Sequence, residues 1–295
     1  MPSIIKELVW LLGHVLRHPD NRKHRLRATL RFFRWQLHKR LRKTPITVRV
    51  GANRSFKVVC DSSFSSLVVY NRLPDWDEMN FLLRLLRPSD GFIDIGANVG
   101  FYTVLASTVV TDGPILSVEA NPKNVLILRE QVQLNGLQNV TVMDFALGNV
   151  AGKIAFSDSS RETGSLATGN EADGRLIKVP CKTLDAVLGS LSLPDGTIAK
   201  MDVEGCEEMI LQGGTETLAQ KRIGVWLFEL ADTGLKRHHS SAEQLVKAFN
   251  DHGYSIHYWD EESRRFGKHG DEADTDRANY IACVDSEQII QRLRH

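Results

Sequence analysis

Long apolar runs are missing from this 295-residue chain. The most apolar early stretch, Ile4 to Leu16, is interrupted by Lys6, Glu7 and His14 and is too short to cross a bilayer. Arg17 and His18 follow it where a secretory leader would carry a small-residue cleavage site, so no leader is expected. Cysteine is scarce: Cys60, Cys181, Cys206 and Cys283 are scattered, with no CxxC pair. That excludes a disulfide framework and a zinc ribbon, and it points to reduced thiols in a cytoplasmic protein. His14 and His18 stand four apart at helical spacing but lack a third ligand, so solvated positions are expected and no metal site is foreseen.

Acids are nearly absent from the first 45 residues, which hold 12 Lys and Arg against 2 Asp and Glu, whereas the rest of the chain is net acidic. The asymmetry sets the expected organisation: a basic amphipathic helical arm at 1–45 and one larger domain at 46–295. In the arm, Ile4, Ile5, Leu8, Leu11, Leu12 and Val15 fall at helical spacing, and His18-Pro19-Asp20-Asn21 breaks the pattern. A second helix carries Leu26, Leu30, Phe33, Leu37 and Leu41 on one stripe, surrounded by arginine and lysine. Such a helix either packs on the body or on a second subunit as a homodimer, or it lies on an anionic membrane, which would make the protein peripheral at the inner surface. Nucleic acid is disfavoured, because no groove-reading or aromatic motif accompanies the charge.

What the body does have is alternation. Ile46 to Val50 and Ser55 to Val59 flank Gly51-Ala-Asn-Arg54 as a hairpin signal, and a helix is expected from Asp77 to Leu86. Apolar runs ending near Asp94, Glu119, Met143, Val203, Leu230, Tyr258 and Val284 alternate with helical segments, which calls for a parallel sheet. At the first strand end stands Asp94-Ile-Gly96-Ala-Asn98-Val-Gly100-Phe101, a small-residue turn between a strand and a helix. A dinucleotide fingerprint would want glycine at 98 and 101, so the fit to a pyrophosphate cradle is poor. Glu119 ends the second strand, where a carboxylate accepts hydrogen bonds from ribose hydroxyls. Asp144-Phe145 ends the third, offering an acceptor for an exocyclic amine beside an apolar face. No Lys or Arg stands beside these acids in sequence. A ligand with an amino group, a sulfonium and an adenosine suits the set, which identifies S-adenosylmethionine as the expected cofactor.

The fourth strand ends in Lys200-Met-Asp202-Val-Glu204-Gly205. Three ionisable residues on alternate positions of a central strand are costly unless paired, which reads as an acceptor site with a base or as a structural Lys200–Asp202 pair. Glu207 opens the next helix and either caps it or reaches the same pocket. Glu229 ends the run Val225 to Phe228 and is a further candidate. Cys181 follows a proline but does not end the fourth strand, which argues against a nucleophile. No Asn-Pro-Pro-Tyr string occurs. Two long polar segments, Ser157 to Arg175 and Glu261 to Arg277, read as lids or substrate loops.

These strings, with Glu119-Ala-Asn-Pro122, Leu134-Asn-Gly-Leu137, Ala146-Leu-Gly148, Thr183-Leu-Asp185 and Lys200-Met-Asp-Val-Glu-Gly205-Cys-Glu207, give the chain a resemblance to the FkbM-type S-adenosylmethionine-dependent methyltransferases, from about Ile46 to Val284. The family's usual pattern has proline at Ala120 and an acid at Asn149. The resemblance implies a Rossmann-like class I sheet of seven strands, one antiparallel, with helices on both faces. It implies methyl transfer to a hydroxyl of a saccharide, glycoconjugate or secondary metabolite. Amine or carboxyl methylation of a small metabolite, and a non-catalytic scaffold with a vestigial site, are the alternatives. It also assigns Glu78 to the methionine end of the cofactor and gives Gly164-Ser165-Leu166 as a matching motif. The expected cofactor-binding set is therefore Glu78, Asp94, Gly96, Asn98, Gly100, Glu119, Asp144 and Phe145. The expected catalytic set is Asp202, Glu204, Lys200 and Glu207.

Overall fold

Strand-forming runs and their glycine breaks fall in the computed structural model much where the alternation puts them; residues 2–158, 175–238, 240–274 and 277–294 are described. Ile46–Val50 (β1) and Arg54–Val58 (β2) form an antiparallel hairpin turned by Gly51 at φ +57°. The strands that follow are Phe92–Ile95 (β3), Ile115–Val118 (β4), Val140–Met143 (β5), Ala146–Leu147 (β6), Gly152–Asp158 (β7) and Arg175–Lys182 (β8). Thr197–Met201 (β9), Ile223–Glu229 (β10), Ser255–Asp260 (β11), Arg265–Lys268 (β12) and Asn279–Cys283 (β13) complete the set among the described residues.

The main sheet runs β12-β11-β13-β10-β9-β3-β4-β5. Strands β10, β9, β3, β4 and β5 pair in parallel, and β13 lies antiparallel between β10 and β11. This is the Rossmann-like class I arrangement with one added strand. The eighth strand corrects the expected count of seven. β12 lies within the polar segment read as a loop, and it pairs with β11. Phe266 stacks on His257 at 4.5 Å between ring centroids, and Gly267 lies under Tyr258, where a Cβ would meet Cζ at 2.1 Å. The strand is held by one aromatic and one close approach, too little apolar pattern to read in advance.

β3, β4 and β9 are buried along their whole length, as parallel strands covered on both faces must be. Alternation divides β3 between the two cores: Phe92 joins one, with Phe81, Leu82 and Val104, and Ile93 and Ile95 join the other, with Met201 and Trp226. The helix that Glu207 opens is broken into Glu207–Gln212 and Thr215–Ala219. Gly213 makes the break, because a Cβ there would lie 2.1 Å from the Gly148 carbonyl oxygen. A small sheet, β6-β8-β7, lies beside the main one. Its antiparallel pair β7 and β8 borders the first polar segment; Gly164-Ser165-Leu166 lies outside the described residues.

The arm folds as helices Pro2–Arg17, Pro19–Arg22 and Arg25–Leu41. It lies against the helix Ser63–Asn71, and Val15, Ala28, Phe32 and Trp35 belong to the body's own core. Asn21 is 2% exposed and its Nδ2 donates to the carbonyls of Val15 and Tyr70 and to Asn71 Oδ1 at 2.9–3.1 Å. Arg31 donates to the Tyr70 carbonyl, and Gln36 donates to the Tyr70 hydroxyl at 2.8 Å. His18 departs from the solvated position expected of it. It is buried edge-on against Trp76, with Nε2 3.3 Å from the Pro74 carbonyl oxygen. The stripe of Leu26, Leu30, Phe33, Leu37 and Leu41 faces outward, 55–75% exposed.

Candidate active site

The C-terminal ends of β3, β4 and β9 converge on one pocket, and the glycine turn is what lets them. Gly96 has φ +78°, and a Cβ on it would fall 2.0 Å from the Asp202 carbonyl oxygen, so only glycine lets the β3 and β9 loops touch. Asn98 follows at φ +50°. Gly100, at φ +88°, opens the helix Phe101–Ala106 under Leu128. Glu119 ties the turn to β4: Asn98 N–H donates to its Oε2 and Asn121 N–H to its Oε1, each at 2.7 Å. Burial pushes the Glu119 carboxyl up against those two hydrogen bonds.

Asp94 is fully buried. Thr103 Oγ1 donates to its Oδ2 at 2.6 Å, while Oδ1 has no partner among the described residues. Burial raises this carboxyl, and Lys200, its neighbour across the β3–β9 ladder, opposes the rise. Lys200 Nζ lies 3.0 Å from Asp202 Oδ2 and 4.4 Å above the Tyr102 ring. Burial alone would push the ammonium down, but Asp202, Asp94 and Asp75 outweigh it and hold the pKa above its usual value. Glu204 sits at φ +57°, a conformation uncommon for a non-glycine residue, and lines the same pocket. Burial and the nearby Asp202 raise its carboxyl.

The pocket wall runs from Phe145, Ala146 and Phe156 at one end, past Glu119 and the glycine turn, to Lys200, Asp202 and Glu204 at the other. A second cavity shares Tyr102, Lys200 and Asp202 and adds Asp75, Glu78, Glu229 and Asn279. Burial, then Asp75, pushes Glu78 up to about 7. Burial, then Asp202, Glu204 and Glu207, does the same for Glu229.

The structure thus brings Gly96, Asn98, Glu119, Phe145, Lys200, Asp202 and Glu204 together in the pocket wall, with Asp94 buried beside Lys200 on the ladder and Gly100 outside the lining, and with Glu78 in the adjoining cavity. Two expected residues stand apart. Asp144 turns to solvent, 65% exposed, and accepts from Arg129 Nη2 at 3.0 Å. Glu207 is buried, but its Oε1 accepts from the N–H groups of Val203 and Gly205 at 3.1 and 3.3 Å, so it fastens the turn that presents Glu204. Asp75, Tyr102 and Phe156 carried no expected role. Tyr102 donates to Asp75 Oδ2 at 2.9 Å and so ties the second cavity to the helix after the glycine turn. Tyr102 is the one signal available in advance, since it stands within the motif.

The family model of the FkbM methyltransferase domain matches residues 94–256, more than half of the chain. The chain belongs to the FkbM methyltransferase family. Among solved structures it is similar to the FkbM methyltransferase of Methylobacillus flagellatus KT, at 15% identity and a TM-score of 0.42, over 67% of this chain. It spans 44% of that protein's length. It is also similar to a precorrin-6y C5,15-methyltransferase from Geobacter metallireducens GS-15, at 18% identity, a TM-score of 0.39 and coverage of 70% and 86%. TYW2 of M. jannaschii in complex with AdoMet gives 13%, 0.42 and coverage of 82% and 84%. At these values none of the three bears on the activity. No curated protein matches the sequence significantly. Among the described residues no cluster of side chains suits a metal ion, and no helix is long and apolar enough to cross a membrane.

Proposed function

We propose that this FkbM-family protein is an S-adenosylmethionine-dependent O-methyltransferase acting on a hydroxyl of a saccharide, glycoconjugate or secondary metabolite. One observation carries the cofactor reading, the sequence of groups along the pocket wall. An apolar end at Phe145 and Phe156 suits a purine, and the Glu119 carboxylate suits ribose hydroxyls. The acids around Lys200 suit a cationic methionyl end, and Asp94 lies buried behind them on the β3–β9 ladder. Among the described residues that line the wall Lys200 is the single basic one, and it is paired with Asp202, so the wall opposes a polyphosphate. S-adenosylmethionine, when bound, supplies a methyl group already activated on sulfur.

What remains for the chain is to position an acceptor and take its proton. Asp202, held by Lys200 at the boundary between the two cavities, orients the acceptor hydroxyl. Glu204 takes the hydroxyl proton, because burial raises its carboxyl and so strengthens it as a base, whereas Asp202 is engaged by Lys200. Glu207 keeps Glu204 in place through the turn.

The test is label transfer from methyl-labelled S-adenosylmethionine into fractionated cell extract. Base-stable label in a glycan or small-molecule fraction is expected, since ethers resist alkali. Label released as methanol by mild base would instead mean carboxyl methylation. Glu204→Gln should lower turnover roughly a hundredfold or more while leaving cofactor affinity intact. Unchanged turnover would remove Glu204 as base and make Glu229 next.

A further inference from the structure

The helix Arg25–Leu41 has two apolar faces, and the body uses one. Ala28, Phe32 and Trp35 are 1–2% exposed against the helix Ser63–Asn71. At 100° per residue, Leu26, Leu30, Phe33, Leu37 and Leu41 fall on roughly the opposite side. They are exposed by 75, 56, 55, 58 and 73%. Single exposed apolar residues are ordinary; five in one file on one helix are not. Val9 and Trp10 on the preceding helix are exposed by 66 and 71%. Arginines flank the file on both sides: Arg27 and Arg34 on one, Arg25 and Arg40 on the other. No Asp or Glu occurs from Asn21 to Cys60, a stretch holding 13 Lys and Arg.

Beside the file, Arg27, Arg31, Arg34, Arg49 and Arg72 line a groove of about 1250 Å³ between this helix and the β1 hairpin. Its floor is apolar, and Leu30 belongs to both the groove and the file.

We infer that this face of the arm is a docking surface for an anionic lipid bilayer, with the leucine file in the acyl boundary and the arginines on lipid phosphates. Charge selects this occupant. A second copy meeting the same face would set arginine rows against each other. Docking on the acidic body of another copy would satisfy the charge but leave the file uncovered, because the other exposed large apolar residues described, such as Leu126, Val150 and Val284, are scattered. An apolar file between cationic flanks is what an interfacial helix presents to anionic lipid. The surface holds the body at the bilayer without crossing it.

The full chain is floated with vesicles of phosphatidylcholine alone and with vesicles containing phosphatidylglycerol, at low and high salt. Binding to the anionic vesicles alone, weakened by salt, is expected. Leu30→Glu/Phe33→Glu/Leu37→Glu should abolish flotation while leaving the thermal midpoint unchanged, since the three side chains are exposed. Arg34→Gln and Arg40→Gln should each lower partitioning roughly fivefold. No flotation with anionic vesicles at low salt, equal flotation with neutral ones, or full flotation of the triple variant would overturn the inference. So would a dimer in sedimentation velocity that the triple variant dissolves, which would assign the face to a second copy.

Discussion

Glu119→Gln is the substitution that separates a loop-fastening carboxylate from a merely buried one. In the native chain both carboxylate oxygens accept backbone N–H groups, from Asn98 and Asn121, each at 2.7 Å. An amide has one acceptor oxygen, so its NH2 must face one of those two donors. That leaves one buried N–H unsatisfied, at about 1–3 kcal/mol. The surviving bond passes from charge-assisted to neutral and loses about half its strength, a further ~1 kcal/mol. A total near 3 kcal/mol, at about 2–4 °C per kcal/mol for a chain approaching this size, lowers the thermal midpoint by about 6–12 °C. Relief of carboxylate burial works the other way and keeps the loss at the lower end. The same change removes the charged acceptor for the ribose, so calorimetry should show S-adenosylmethionine binding weakened about tenfold or more. Scanning fluorimetry with and without ligand reads both effects. A midpoint within about 2 °C of the parent would refute the claim that this carboxylate holds the two loops together. Unchanged affinity would refute its place in the cofactor site.

The second cavity makes a pH prediction. Glu78 and Glu229 titrate near 7 in the folded chain against 4.5 for a free glutamate, so folding tightens their hold on a proton. Their contribution to stability is therefore full below pH 4.5 and lost as pH rises toward 7. Glu78→Gln/Glu229→Gln should flatten the urea midpoint across that window; a midpoint that still falls as steeply would refute the assignment. For the arm, Asn21→Ala strips the Val15 carbonyl of its Nδ2 donor, while Tyr70 keeps Arg31. The expected cost is about 1–3 kcal/mol in urea unfolding, and a loss below about 0.5 kcal/mol would mean the arm is not fastened there.

The strand-end acids and the glycine turn were legible because they rest on local rules: an apolar run, an acid where it ends, small residues where backbones touch. Direction beyond a strand end is not local. β5 stops at Met143, and the turn that follows aims Asp144 at Arg129 rather than into the pocket, which no alternation pattern encodes. Asp75 was out of reach for the same reason. Its role comes from Tyr102 and Lys200, which meet it only through packing. β7 and β8 left a faint trace, since Ile177, Val179 and Cys181 alternate beside a segment otherwise read as loop.

The arm shows a different limit. Periodicity finds an apolar face but does not choose between two. Leu26, Leu30, Phe33, Leu37 and Leu41 make the longer file, yet Ala28, Phe32 and Trp35 also recur at helical spacing and are the ones buried. Polar neighbours decide. The partner helix offers the Tyr70 hydroxyl and carbonyl and the Ser66 hydroxyl, groups that lose water on docking and must be satisfied. Gln36, Arg31 and Lys39 flank the Phe32–Trp35 face and meet all three. The leucine file is flanked instead by Arg25, Arg27, Arg34 and Arg40, and docking that face would take Gln36 from the Tyr70 hydroxyl, while the Tyr70 carbonyl kept Asn21 and Ser66 kept the Ser62 carbonyl. That face would also press its arginines on Ser63–Asn71, a helix without an acid, and an unpaired buried charge costs several kcal/mol, more than the extra apolar area returns. The face with fewer leucines is therefore the one that packs, and the richer face is left for another solvent.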